Sequence, residues 1–283
     1  MEGEMGAVLI TGAYGGMGMA AVKRFAALGY TVFALDICVR DVEMPAGVIP
    51  VVADLTDEES VLSARDTVAG HTDTLDAILH FAGMYNLDSL VEMEDTAFSK
   101  ILDVNLRSAY LVNRAFLPFL KRDGRILITT SELATLDPLP FTGIYAVTKA
   151  ALDKYAFSLA MELQLLGIRV SVLRAGAVDT GMLGASTSAL DKFCANTKIY
   201  TCNAKRFKSI VDRVESRSVS PEKIAKKCER ILKKRNPRFA YSINRNPLLV
   251  LLNLLPKRVQ LFAIKTVLKP PKGDGVKINE ENK

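Results

Sequence analysis

"VLITGAYGGMG", residues 8 to 18, is the stretch that decides the architecture. An apolar run ends at Thr11, and Gly12, Gly16 and Gly18 then strip the turn of side chains, so backbone N–H groups and the start of the following helix can approach a phosphate closely. A strand, a glycine turn and a helix are the opening of a parallel α/β sheet. Further apolar runs follow at "TVFALD" (31–36), "GVIPVVAD" (47–54), "DAILHFAG" (76–83), "RILITTS" (125–131) and "IRVSVLRAG" (168–176), separated by helical stretches. Near-continuous apolar strands alternating with helices predict a doubly wound parallel sheet covered on both faces, a Rossmann-type single domain.

The second strand ends at Asp36, 24 positions after Gly12. A carboxylate there can accept both hydroxyls of a ribose and repels a 2′-phosphate, which favours NAD over NADP. Asp36 also reads as an ordinary turn former. The order of strand, glycine turn, helix, strand and acid raises the dinucleotide reading above either part alone.

"YAVTK", residues 145 to 149, puts a phenol and an ammonium at i and i+4 of a predicted helix, on one face about a turn apart. A tyrosine titrating near 10 needs a shift of about 3 units to work as an acid and base near neutrality, roughly 4 kcal/mol. Two unit charges about 4 Å apart supply about 1 kcal/mol in water and about 4 at an effective dielectric near 20. Only a shielded lysine is sufficient.

Taken together these residues resemble the short-chain dehydrogenase/reductase family over about residues 5 to 180, with a looser match to about 245. "TGAYGGMG" is similar to the family's cofactor turn, which by resemblance adds Tyr14 and Met17 to the glycines as cofactor contacts. "ADL", Ala53 to Leu55, resembles its adenine-contacting acid, with Asp54 and Leu55 as contacts. "FAG", Phe81 with Ala82 and Gly83, resembles its Asn-Ala-Gly strand end. The resemblance implies a catalytic tetrad of Asn105, Ser131, Tyr145 and Lys149, the last two also touching the cofactor. It implies nicotinamide contacts at Gly176, Val178 and Thr180 in "AGAVDTGM" as well. Phe81 stands where the family usually has Asn, and Ala175 where it has Pro. Ser131 precedes Tyr145 by 14 positions, one more than is common, with Glu132 at the usual count. Ser131 is preferred because a neutral hydroxyl can donate to a carbonyl oxygen and a carboxylate cannot. Asn105 by resemblance holds a water linking Lys149 to solvent; it also reads as an amide that satisfies broken helix backbone.

The implied reaction interconverts a secondary alcohol and a ketone with NAD. Other readings keep the fold: a non-catalytic NAD-binding sensor or membrane scaffold, or a nucleotide-sugar epimerase. Residues 181 to 219 are polar and weakly periodic and read as a long loop, a lid, within a domain spanning 5 to 245. "SPEKIAKKCERILKK" then restarts a helix capped by Ser220 with Pro221 in its first turn.

Charge is divided unevenly along the 283 residues: 23 of the 37 Lys and Arg but only 8 of the 31 Asp and Glu follow residue 190. "NPLLVLLNLLPKRVQLFAIKTVLKPPK" opens an apolar, basic helical extension, 246 to 283, whose longest apolar run is far short of the roughly 20 residues that span a bilayer. It predicts either a cover for the substrate cleft or a peripheral membrane contact. With its preceding helix it is similar to the C-terminal part of the hydroxysteroid and retinol dehydrogenase branch, which implies an apolar alcohol or ketone, steroid-like first, retinoid or acyl chain next.

There is no Trp and no nucleic-acid motif, so the sequence predicts no nucleic-acid partner. Four cysteines and two histidines lack metal-ligand spacing and predict no metal. The acidic start has no basic region or cleavage site and predicts a cytoplasmic location. By resemblance the chain forms homodimers or homotetramers through long helices at about Thr96 to Lys121 and Tyr145 to Leu166.

Overall fold

The computed structural model describes residues 6–40, 42–214 and 218–269. Seven parallel strands form one sheet: β1 (Ala7–Thr11), β2 (Thr31–Asp36), β3 (Val48–Val52), β4 (Leu75–His80), β5 (Leu120–Ser131), β6 (Arg169–Ala175) and β7 (Ala240–Ile243), in the order β3-β2-β1-β4-β5-β6-β7. Six of these coincide with the apolar runs. The seventh, "AYSI", is four residues at the sheet edge with one buried position, too short and too polar to register as an apolar run.

The two-residue period of the strands divides the core. Leu9, Phe33, Leu35, Ile78, Ile126 and Ile128 point to one face, against α2 (Glu58–Ala69), α4 (Ser108–Phe116) and α5 (Gly143–Leu163). Val8, Ile10, Val32, Ala34, Leu79 and Leu127 point to the other, against α1 (Gly16–Ala26) and α8 (Pro221–Leu232). Both faces are covered, which is why the strands carry no polar alternation. β1 has β2 on one side and β4 on the other, so the chain switches direction across the sheet at β1 and opens a crevice beyond the carboxyl ends of these two strands.

Three expectations need correction. The long helix at Thr96 to Lys121 is broken: α3 (Asp95–Leu102) passes through a π-helical turn at Asp103–Arg107 into α4, and a 3-10 turn at Leu117–Phe119 leads into β5. The π turn swings Asn105 inward, where it is 1% exposed. The second long helix ends at Leu163, with a 3-10 turn at Gln164–Leu166 closed by Gly167 at φ 81°. Residues 181 to 219 are no loop. They contain α6 (Gly181–Asn196) and α7 (Thr201–Val214), with residues 215–217 outside the described residues.

These helices form because they have their own small core: Leu190, Phe193, Ala204 and Phe207 bury themselves around Phe141 and against Leu268. Among the described residues of the two helices these four apolar anchors are widely spaced and give little periodicity to read. Ser220 does occupy the N-cap of α8, but its hydroxyl bonds Glu222 rather than a helix N–H.

The extension forms α9 (Pro247–Asn253) and α10 (Lys257–Leu268), and its part from 270 to 283 lies outside the described residues. Both helices dock on the loop after β5: Glu132 Oε2 accepts from the Asn246 N–H at 2.7 Å, and Lys257 pairs with Asp137. Among the described residues no helix is long and apolar enough to cross a membrane, and no cluster of His, Cys, Asp or Glu could hold a metal ion.

Candidate active site

Two adjacent strand ends and one helix build the site. β5 delivers Ser131 at its carboxyl end, buried. On α5 the inward stripe is Tyr145, Lys149, Leu152 and Ala156, spaced by four, three and four residues, so the apolar pair that anchors the helix to the sheet also aims the phenol and the ammonium. Tyr145 is 9% and Lys149 6% exposed.

The Ser131 hydroxyl bonds the Tyr145 phenol and also accepts the Leu133 N–H at 3.2 Å. Because the serine oxygen accepts in the second bond, its one proton is left for the phenol oxygen, the direction that lowers the phenol pKa. Glu132, the residue at the usual count, is turned away. Its carboxylate holds Asn246 and is pushed above the usual carboxylate range by burial.

Lys149 Nζ lies 5.7 Å from the centre of the Tyr145 ring. It lies against Gly83, where an added Cβ would stand 3.3 Å from both Lys149 Nζ and Asn105 Oδ1. Asn105 Oδ1 accepts the Met84 N–H at 2.7 Å, and its Nδ2 donates to the Met84 carbonyl at 2.9 Å and to Thr148 Oγ1 at 3.0 Å. The amide therefore satisfies backbone, that of the loop after β4 rather than that of its own helix. Thr148 Oγ1 in turn donates to the Tyr145 carbonyl at 2.8 Å, so Asn105, the loop and α5 are one hydrogen-bonded unit.

The protonation balance differs from the expectation. Burial pushes the Tyr145 phenol up to about 12, the Ser131 bond pulling the other way and the Glu132 charge adding to it. Burial also pushes Lys149 down to about 8. An ammonium lowering the phenol is not what dominates in the protein alone, because taking the phenolate out of water costs more than the bond from Ser131 recovers.

Two residues with no sequence signal belong here. Tyr85 packs edge-on to Tyr145 with ring centres 4.4 Å apart. Phe141, at φ 66°, meets Phe193, Tyr200 and Phe207 with ring centres 4.7, 5.3 and 5.5 Å apart, and so ties α6 and α7 to the loop that leads into α5. A bulky residue at positive φ is strained, and it persists because the aromatic cluster fixes it.

A family model described as short chain dehydrogenase matches residues 6–191. The chain belongs to the short-chain dehydrogenase/reductase family. It is 32% identical over 201 residues to an uncharacterised short-chain type dehydrogenase/reductase, y4eK, of Sinorhizobium fredii, covering 69% of this chain and 77% of that protein. It is 32% identical over 211 residues to estradiol 17-beta-dehydrogenase 1 of Rattus norvegicus, covering 68% of this chain and 60% of the rat protein. Its fold superimposes with a TM-score of 0.69, at 25% identity, on an alcohol dehydrogenase of Thermococcus sibiricus complexed with 5-hydroxy-NADP, covering 86% of this chain and 99% of that one. This is a family of oxidoreductases that bind a nicotinamide cofactor.

The residues of this short-chain dehydrogenase/reductase fit such a group. Gly12 has φ 64°, and a Cβ there would lie 2.6 Å from the Ala82 nitrogen; one on Gly18 would lie 2.0 Å from the Gly12 oxygen. No side chain caps α1, which leaves its first N–H groups facing the crevice. Asp36 is fixed at the crevice edge, its carboxylate accepting the N–H groups of Tyr14 and Ile37, each at 2.8 Å. The Tyr14 side chain is 5% exposed, its hydroxyl has no partner among the described residues, and burial beside the Asp36 charge raises its pKa.

Thr180 closes on the glycine turn, since a Cβ on Gly16 would meet its methyl at 2.6 Å. Thr180 Oγ1 is 3.4 Å from the Val178 oxygen. Gly176 passes under Asn244, where a Cβ would be 1.9 Å from the backbone oxygen, and its N–H donates to Ile243 at 3.0 Å. Ala175 keeps β6 paired to β7 opposite Ile243.

Other expected contacts are engaged locally. Asp54 accepts from the N–H and the hydroxyl of Thr56 and is held below the usual carboxylate range by those bonds. Leu55 is a core side chain on one face of the sheet and Phe81 on the other, and Met17 packs, partly buried, against the second.

Proposed function

We propose that this protein is an NAD-dependent dehydrogenase that interconverts an apolar secondary alcohol and its ketone, with a steroid-like substrate favoured and a retinoid or acyl chain next. The observation that carries the reading is the buried Tyr145 phenol, bonded to the Ser131 hydroxyl and backed by Lys149. Bound nicotinamide supplies the hydride acceptor in oxidation and the donor in reduction.

In oxidation Tyr145 Oη takes the alcohol proton while the Ser131 hydroxyl holds the substrate oxygen. In reduction the phenol, neutral at any physiological pH when burial sets its pKa near 12, gives that proton to the carbonyl oxygen. The ammonium of Lys149 stabilises the phenolate in the closed, water-poor site, and Asn105 holds the water through which the proton returns to solvent. α6 and α7 act as the lid.

Preference for NAD is supported by the Asp36 carboxylate at the end of β2, held by the Tyr14 N–H, which would repel a 2′-phosphate. Asp36→Asn is expected to shift the ratio of kcat/KM for NADP over NAD upward by about ten- to hundred-fold, a solvent-screened share of the roughly 4 kcal/mol between close like charges. An unchanged ratio in steady-state assays with both cofactors rejects the assignment.

The extension supports a peripheral lipid contact. Leu248, Leu251, Leu254 and Phe262 are 65, 60, 76 and 70% exposed, beside Arg245, Lys257 and Arg258. Sedimentation with anionic vesicles is expected to fall several-fold in Leu251→Ser with Phe262→Ser; equal pelleting of this variant and the parent protein refutes the contact. Phe157 and Met161, half exposed on α5, support a homodimer or homotetramer, read as a mass of two or four chains by light scattering.

A further inference from the structure

We propose that the cavity beneath α10 binds the substrate by an anionic group: the alcohol or ketone carries a carboxylate, sulfate or phosphate at the end of its apolar body remote from the reacting carbon, and Lys265 and Lys269 receive it. This deepens the reading above and rests on it only for the alcohol or ketone group.

The cavity has a volume of about 840 Å³, within the range of small-molecule sites. One wall is the segment around the catalytic helix: Leu90, Leu139, Phe141 and Gly143, the last two residues before Tyr145. Leu90 also fills the space over Gly143, where a Cβ would meet its Cδ1 at 2.8 Å. The cavity thus adjoins the start of α5. The opposite wall is α10, which contributes Leu261, Ile264, Lys265 and Leu268, with Lys269 just past its end; Leu268 is buried, and Leu261 and the two lysines stand at the solvent side of the lining. Apolar residues line most of this open groove, and Lys265 and Lys269, both exposed, lie on its lining around the end of α10.

The charge at that end is not accounted for by the fold. The acidic residue on the lining, Asp137, is already paired with Lys257 and bonded by Gln260. Among the described residues neither Lys265 nor Lys269 has an ion-pair partner. Cations near a helix C-terminus can answer its last carbonyls, but here those are answered from α7: Asn203 Nδ2 donates to the Leu268 carbonyl at 2.7 Å, and Arg206 donates to that of Lys269. Arg206 adds a third positive group at the same end. Such a cluster beside an apolar chamber is complementary to an amphiphile with one anionic group.

Cholate and its methyl ester share an apolar ring body and differ in that charge. Isothermal titration calorimetry with the full chain is expected to give cholate an affinity about ten-fold above the ester's. Lys265→Gln with Lys269→Gln is expected to bring cholate down to the ester's level and to leave the ester within two-fold, while the double Arg variant keeps the preference. Equal affinity for the two probes overturns the proposal. So does binding of neither, loss of ester binding in the Gln variant, or a preference that survives it. Sedimentation with phosphatidylglycerol and phosphatidylcholine vesicles separates a lipid headgroup from a free amphiphile: a Gln variant that loses only vesicle binding and keeps the cholate preference assigns these lysines to the membrane and overturns the proposal.

None of these readouts needs turnover. Charge-dependent cholate binding without any nicotinamide absorbance change across steroid and aliphatic alcohols leaves this proposal standing and sinks the dehydrogenase reading, whereas turnover of neutral alcohols without the preference does the reverse.

Discussion

Tyr145→Phe is expected to lower kcat by about 10²- to 10⁴-fold in both directions while leaving the cofactor dissociation constant within about two-fold. The substitution removes one oxygen. The ring keeps its contacts with Tyr85 and its place on the buried face of α5, so the melting temperature should move little. Ser131 retains its bond from the Leu133 N–H. What disappears is the group that gives and takes the proton, and neither neighbour replaces it: Ser131 has no base behind it, and Glu132 is committed to Asn246. Wild-type kcat in this variant, measured with a substrate the parent enzyme turns over, rejects the assignment. Unimpaired cofactor binding with no turnover in the parent protein points instead to a sensor or scaffold.

Lys149→Met separates the cost of the site from its benefit. Burial holds the folded-state pKa near 8 against 10.5 for the free group. Below pH 8 both folded and unfolded chains carry the proton, and the folded state bears the whole penalty, about 3 kcal/mol for a shift of about 2.5 units. Between the two pKa values only the unfolded chain stays charged, so the penalty fades as pH rises and is gone above 10.5. An uncharged side chain of similar length escapes it. Lys149→Met is therefore expected to raise the melting temperature at neutral pH by about 5 °C, with the gain shrinking toward pH 10.5. Activity should fall by about 10²-fold or more, because the phenol, already pushed up to about 12 by burial, loses the cation that makes its deprotonated form accessible. A variant that is both less stable and fully active contradicts the argument on both counts. The same pair of numbers assigns the ammonium a role only once the site is occupied: with cofactor and substrate excluding water, the interaction of two charges strengthens several-fold.

The division between what was readable in the chain and what was not follows from the range of the forces involved. Strand positions were legible because burial on both faces makes each strand a short, near-continuous apolar run bounded by turns. The glycine turn was legible because close backbone approach at Gly12 and Gly18 excludes any side chain. The Tyr145 and Lys149 pairing was legible because a helix fixes i and i+4 on one face whatever lies around it. α6 and α7 were not, since their stability comes from four buried side chains that meet Phe141 from another part of the chain. The strand β7 has too few residues to carry a signal of its own.

By itself, then, the sequence determined the parallel sheet, the dinucleotide crevice at its switch point and the helical face that carries the phenol and the ammonium, all of which depend on neighbours within a turn or a strand. Only the tertiary structure brought Ser131 against the phenol and turned Glu132 to Asn246, swung Asn105 inward through a π turn, and laid α10 beside the loop at Leu139 to Phe141. Those choices depend on which distant groups, Asn246, Met84 and the loop at Leu139 to Phe141, come within a few ångströms, and on how much water their approach removes.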